Sequence, residues 1–202
     1  LVSAVCVPLS QMAIRSYLSQ EFGLNYAGYW EAMIRLSAAY LMLVTTTLSV
    51  YYLPRLSELS NIQEIKKEVY LGYKFIFPLA LIGGILVYFL KDWIIPLLFN
   101  TDFLPMRELF LWQMIGDSLK IGSWILAYLM LSKAMTQLYI ITEIIFALTS
   151  VLLTYICTQL IGFEGVSVAH IINYGVYWFV LSFFIFKKLR GKKNSDLFFL
   201  SK

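Results

Sequence analysis

Six long runs of apolar residues occupy most of the 202-residue chain, with short polar connections between them. The runs cover about 1–19, 27–53, 71–90, 108–131, 138–161 and 165–186. Apolar positions are continuous within them rather than alternating, and each run is close to the ~20 residues a helix needs to cross a ~30 Å hydrocarbon layer. Lipid offers no partner to backbone amides, so continuous runs of this length predict spanning helices, not strands of a barrel. The pattern predicts an all-α, polytopic membrane protein: a six-transmembrane-helix bundle over residues 1–190, then a basic tail over 191–202. Pro8 and Pro78 fall inside runs, where neighbouring helices can satisfy the carbonyls that a proline frees.

The connections differ in character. Residues 19–25 form a short link without a basic residue, and Gly162-Phe163-Glu164 and Ser132–Gln137 read as tight turns. Between Arg55 and Tyr70, the residues Leu56, Leu59, Ile62, Ile65 and Val69 recur at helical spacing, which predicts an amphipathic helix at the membrane interface. The segment from Lys91 to Arg107 mixes Asp92 and Asp102 with Trp93 and Phe103. Alternate connections fall on opposite sides of the membrane. One side collects ten basic residues, namely Arg55, Lys66, Lys67, Lys133, Lys187, Lys188, Arg190, Lys192, Lys193 and Lys202, against two on the other, Lys91 and Arg107. Positive charge marks the cytoplasmic side. Both termini and the 55–70 connection are therefore expected in the cytoplasm. Tyr51, Tyr52, Tyr88, Trp93, Trp112, Tyr139 and Trp178 lie near span ends, as interfacial aromatics do.

Composition agrees: 60 % of residues are hydrophobic and only 14 % charged, too few for the charged faces of a soluble helical domain. The net charge of +4 is accounted for by the cytoplasmic connections, so it points to no nucleic-acid partner. Cys6 and Cys157 both sit in apolar runs and read as packing residues rather than a disulfide or metal pair. Position 1 is Leu, and the chain enters a span at once, which reads as a fragment of a longer protein.

Charges inside spans are costly and are candidates for function. Arg15 lies near the end of the first span. Glu31 and Arg35, four residues apart in the second, share a helical face, and so do Asp117 and Lys120, three apart in the fourth. Lys74 and Glu143 stand near cytoplasmic borders, where they can snorkel out. Two readings of the paired charges are open. They can dock helices as self-neutralising pairs, or they can line a polar cavity to which Arg15, Arg35 and Lys120 give a cationic wall. Such a wall suits pyrophosphate, since arginine offers a planar fork and lysine a point charge. His170, the single histidine, reads as a hydrogen-bonded residue between helices rather than a proton relay, because no acidic partner in its layer is visible in the sequence. No catalytic triad, phosphate-binding glycine loop, metal cluster or cofactor motif is present, so no enzyme and no cofactor are expected.

Three stretches resemble a known family: Gly28-Tyr29-Trp30-Glu31-Ala32-Met33-Ile34-Arg35-Leu36-Ser37 with Tyr40-Leu41, then Tyr51-Tyr52-Leu53-Pro54-Arg55-Leu56-Ser57, then Phe110-Leu111-Trp112-Gln113-Met114-Ile115-Gly116-Asp117-Ser118-Leu119-Lys120. They are similar to the C-terminal half of bacterial lipid-linked oligosaccharide flippases of the lipid III and O-antigen type, in the multidrug/oligosaccharidyl-lipid/polysaccharide exporter superfamily. The resemblance runs from the first span to the last. It implies one half of a twelve-helix transporter in the bacterial inner membrane, with an N-terminal half as its partner and a polysaccharide polymerase as a candidate partner. The implied substrate is an undecaprenyl-pyrophosphate-linked oligosaccharide, moved to the periplasmic leaflet by alternating access while its tail stays in membrane lipid. Arg15, Arg35 and Lys120 are the implied headgroup ligands, with Glu31 and Asp117 as their partners. A cation-coupled drug or metabolite exporter of the same superfamily is the alternative, but it calls for an acid-dominated cavity. A membrane scaffold without transport would use the same charges for docking alone.

Overall fold

The computed structural model describes residues 2–190, with side chains from 5 to 187. The described part is helical throughout, joined by turns. We number seven helices: α1 Val2–Glu21, α2 Leu24–Tyr40, α3 Met42–Glu58, α4 Ile62–Leu98, α5 Phe110–Ser132, α6 Thr136–Ile161 and α7 Gly165–Arg190. A 3-10 stretch, Thr101–Leu109, leads into α5. By length and apolar composition four helices qualify as membrane spans, and the bent pair α2–α3 makes a fifth. The 20-residue α1 is not among them, because Ser10, Gln11, Arg15 and Ser16 dilute its hydropathy. The protein is thus an all-helical, polytopic membrane protein, and six spans require α1 as the sixth. The basic tail, 191–202, and the side chains of Lys188 and Arg190 lie outside the described residues.

Two connections differ from their expected form. The amphipathic stretch is divided at Leu59-Ser60-Asn61. Residues before the break end α3, and those after it begin α4, which runs unbroken through the third span. Asn61 supplies the new start, its side chain accepting from the Gln63 amide at 2.9 Å. At the far end α4 continues past Lys91 to Leu98, so most of the mixed segment is helix as well. The second span is bent by 52° at Leu41. The Thr45 and Thr47 hydroxyls donate back to the Met42 and Leu43 carbonyls just beyond, a habit that bends helices.

Two prolines explain a repeated detail. Pro54 follows a π-helical turn over Leu48–Tyr52, and Pro78 follows another over Gly72–Ile76. Proline lacks the N–H for an ordinary turn, and its ring presses on the carbonyl four residues back. In each case the residue just before the proline widens the turn by donating five residues back, Leu53 to the Leu48 carbonyl and Phe77 to that of Gly72.

Helix α5 is the axis of the bundle. Of its most apolar window 61 % is buried, against 11 % for that of α6. Apolar residues form two cores, one above the other along α5. The first gathers Ile14, Leu18, Trp30, Met33, Phe110 and Met114. The second gathers Leu48, Tyr52, Ile65, Ile125, Met130 and Leu181. Between them lies a layer of buried polar side chains, Ser37, Gln113, Asp117 and Ser167. The α6–α7 turn is tight, as expected. Gly162 takes φ 77°, a conformation that favours glycine, and a Cβ on Gly165 would run into the Cys157 backbone. At the other end Lys133 reaches across from the α5–α6 turn. Its ammonium donates to the Leu56 carbonyl at 2.6 Å and also to that of Leu59, capping the broken end of α3. Burial pulls the Lys133 pKa below the ordinary lysine value.

Candidate functional site

Two clusters carry the intramembrane charges. In the first, Glu31 of α2 is held between two arginines, one carboxylate oxygen to each. Arg15 Nη1 from α1 stands 3.1 Å from Oε2, and Arg35 Nη2, one turn further along α2, stands 2.5 Å from Oε1. The i, i+4 spacing is realised, and α1 contributes a second cation that helical spacing could not show. Both arginine side chains stay open, 62 % and 76 % exposed, whereas Glu31 is 27 % exposed. Each guanidinium carries five N–H donors, and a single carboxylate cannot engage them all.

The second cluster is the polar layer on α5. Asp117 is fully buried. Its Oδ2 accepts from the Tyr40 hydroxyl of α2 at 3.0 Å. Its Oδ1 accepts from Gln113 Nε2 at 3.3 Å and lies 3.1 Å from His170 Nε2 of α7. Gln113 ties in the same two helices a second time: it donates to Ser37 Oγ of α2 at 3.4 Å and accepts from Ser167 Oγ of α7 at 3.3 Å. A buried carboxylate is tolerable only when its oxygens are matched in this way. Gly116 makes room, since a Cβ there would press on the His170 ring.

Lys120 does not pair with Asp117, although the two share a face. Its ammonium lies 4.9 Å from the Trp124 ring centroid and 5.9 Å from that of Tyr174. These rings offer it a cation–π seat instead. Glu143 likewise departs from its expected place at the cytoplasmic border: it lines the interior and accepts from the Tyr177 hydroxyl at 3.2 Å.

A cavity of about 210 Å³ opens beside the polar layer, walled by α1, α2, α5, α6 and α7. Its polar wall includes Gln113, Asp117, Lys120, Glu143, His170 and Asn173. Ile14 and Ile34 line it too, so the neighbouring Arg15 and Arg35 flank the cavity rather than face into it. The five site residues expected from sequence thus fall into two groups, Arg15–Glu31–Arg35 at the flank and Asp117 with Lys120 in the wall. His170 was expected to bond between helices, and it does, but its acidic partner was missed. The partner sits on another helix, 53 positions away, where helical spacing is silent. Tyr40 was missed for the same reason, whereas Gln113 lies four residues before Asp117 on α5, within reach of helical spacing. Among the described residues no three His, Cys, Asp or Glu side chains converge as a metal site.

The sequence matches two curated relatives, the lipid III flippases of Escherichia coli (strain K12) and Shigella flexneri. Each is 35 % identical over 144 residues, which is 71 % of this chain and 35 % of the relative. The aligned stretch therefore spans about a third of the length of either relative. No family model matches the chain. No solved structure matches it either. The chain is a relative of the lipid-linked oligosaccharide flippases, and the exporter alternative is not favoured.

Proposed function

We propose that this chain is the C-terminal bundle of a twelve-helix flippase, and that the whole protein moves an undecaprenyl-pyrophosphate-linked oligosaccharide from the cytoplasmic to the periplasmic leaflet. The observation that carries this reading is the open arginine pair on Glu31. Two guanidinium groups share one carboxylate, so the cluster keeps a net positive charge and spare donors beside a polar cavity. Arginine's fork matches pyrophosphate oxygens in pairs. Lys120, on its aromatic seat in the cavity wall, adds a point charge. Alternating access between this bundle and an N-terminal one would carry the headgroup across, with no covalent step. A polysaccharide polymerase on the periplasmic side would receive the product.

In this reading both termini of the chain face the cytoplasm of a bacterial inner membrane. The 37-residue α4 supports opposite placement of its two ends, since at 1.5 Å per residue it is longer than the hydrocarbon layer is thick. Cysteines introduced at Ser60 and Asp102 should then label from opposite sides. Equal labelling of both from the periplasm would reject the topology.

Mutation of Arg35 in the full-length protein tests the function. Arg35→Ala should abolish export at normal membrane abundance, and Arg35→Lys should restore little, because a point charge does not reproduce paired hydrogen bonds. Glu31→Gln with Arg35→Ala separates ligand from docking pair. A docking pair recovers transport in the double variant, and a headgroup ligand does not.

A further inference from the structure

Beside the polar cavity runs a second, apolar recess. It lies between α1 and α6, holds about 620 Å³, and is walled by residues such as Cys6, Leu9, Ala13, Leu148, Val151 and Leu152. The recess is an open cleft along the helix pair rather than an enclosed void of the core. Its origin is visible in how the helix pair is fastened. At one end α1 and α6 are clasped. Tyr17 meets Tyr155 edge to face at 5.5 Å, and its hydroxyl lies 2.9 Å from Thr158 Oγ1. Gln159 Nε2 donates to the Tyr17 hydroxyl at 3.2 Å and to Glu21 at 3.3 Å. Below this clasp the facing residues turn small, with Ser10, Ala13 and Ala147, and the two helices leave the recess between them.

Ser10, Ile14, Ala147 and Thr154 belong to both walls, so the apolar groove and the polar cavity are continuous. A cationic, hydrogen-bonding chamber that opens into an apolar slot fits a molecule with a charged head and a long hydrocarbon chain. We infer that this groove seats the first isoprene units of the carrier lipid while its phosphate-bearing head lies toward Lys120. The inference rests on the flippase reading and adds the place of the tail. Small side chains along the slot leave width for methyl branches, and the leucines and valines at its rim supply the apolar contact. The groove opens to the bilayer, since Leu9, Leu148 and Leu152 are exposed.

The test uses the purified full-length protein in detergent, with undecaprenyl phosphate and dioleoyl phosphatidylglycerol as probes. Cys6 stands in the groove wall and serves as a native reporter, while Cys157 is buried. Undecaprenyl phosphate should slow maleimide modification of Cys6, and phosphatidylglycerol should not. Ala13→Trp plugs the slot from an exposed position and so leaves the core untouched. It should weaken retention of undecaprenyl phosphate about tenfold, the factor that two displaced methylene-sized groups account for. Equal protection by both lipids would make the groove an ordinary acyl site and overturn the inference. So would retention unchanged by Ala13→Trp, which is also the outcome if another segment of the longer protein or a second copy fills the slot. Failure of the wild type to hold undecaprenyl phosphate at all would reject the flippase reading itself.

Discussion

Glu31–Arg35 and Asp117–Lys120 look alike in the sequence: an acid followed one helical turn later by a base, each inside an apolar run. In the folded chain they are opposites. Glu31 takes Arg35 and a second cation, Arg15, and the cluster stays open. Asp117 makes no close ion pair with Lys120 and is enclosed by Tyr40, Gln113 and His170, donors from three helices. Position in the bundle makes the difference. α2 carries Glu31 on its flank, whereas Asp117 faces the middle of the most buried helix, between two apolar cores. Spacing along a helix decides which groups can reach each other, and burial decides which must. A carboxylate out of reach of water needs a matched donor for each oxygen. One at a cavity rim does not, and the cations around it keep donors for something else.

The contrast can be broken most forcefully at Asp117. Asp117→Ala removes the acceptor shared by Tyr40, Gln113 and His170; Gln113 keeps Ser37 Oγ, but the Tyr40 hydroxyl and the His170 ring lose the carboxylate. Losing one member of a buried pair of this kind costs about 3–5 kcal/mol. Thermal unfolding in detergent should show a large loss of stability. Asp117→Asn should fall between, because its amide can accept at one position but not two. A wild-type melting temperature in Asp117→Ala would mean that the polar layer holds nothing together.

Gly116 gives the next effect. Gly116→Ala presses a methyl group onto the His170 ring, and overpacking of this kind costs about 1–3 kcal/mol. In the double variant with His170→Ala the added methyl meets open space. The two penalties should therefore fall well short of additivity, and simple additivity would show that His170 is not where the clash lies.

What the sequence disclosed and what it hid follow one physical line. The helical, membrane-spanning character of most runs was legible, because apolar continuity is a local property. The Glu31–Arg35 pair was legible too, because it lies within one helix. The bend at Leu41 was not foreseen, since Thr45 and Thr47 act on backbone carbonyls without disturbing the hydropathy of the run. Nor was the unbroken passage from the amphipathic stretch into the third span, because polarity marks the membrane surface and not the end of a helix. The partners of Asp117 were hidden for a different reason. Tyr40 and His170 come from α2 and α7 and meet Asp117 only when those helices pack on α5, while Gln113 stands on α5 itself. The Lys133 cap on α3 is hidden in the same way.

Lys120 sharpens the comparison further. Lys120→Met keeps the aliphatic stem and removes the charge. If Trp124 and Tyr174 are its seat, stability should fall by only about 0.5–2 kcal/mol, the range of a cation–π contact. An effect as large as that of Asp117→Ala would instead tie Lys120 into the buried layer as a full partner of the carboxylate.

The smallest effect belongs to the open cluster, and its smallness is the point. Arg15→Ala, Glu31→Ala and their double variant form a cycle that isolates the contact between α1 and α2. With Arg15 62 % exposed, the coupling should be about 0.2–1 kcal/mol and should shrink in high salt, as for other exposed ion pairs. The same substitution at Arg15 should nonetheless weaken binding of undecaprenyl pyrophosphate by far more than it lowers stability. That separation is what distinguishes a residue kept for a ligand from one kept for the fold. Had Arg15 been a docking residue, its removal would register in the melting curve first and in binding only through the loss of folded protein. A coupling of several kcal/mol, insensitive to salt, would move the Arg15–Glu31–Arg35 cluster into the same class as Asp117 and erase the difference between the two regions.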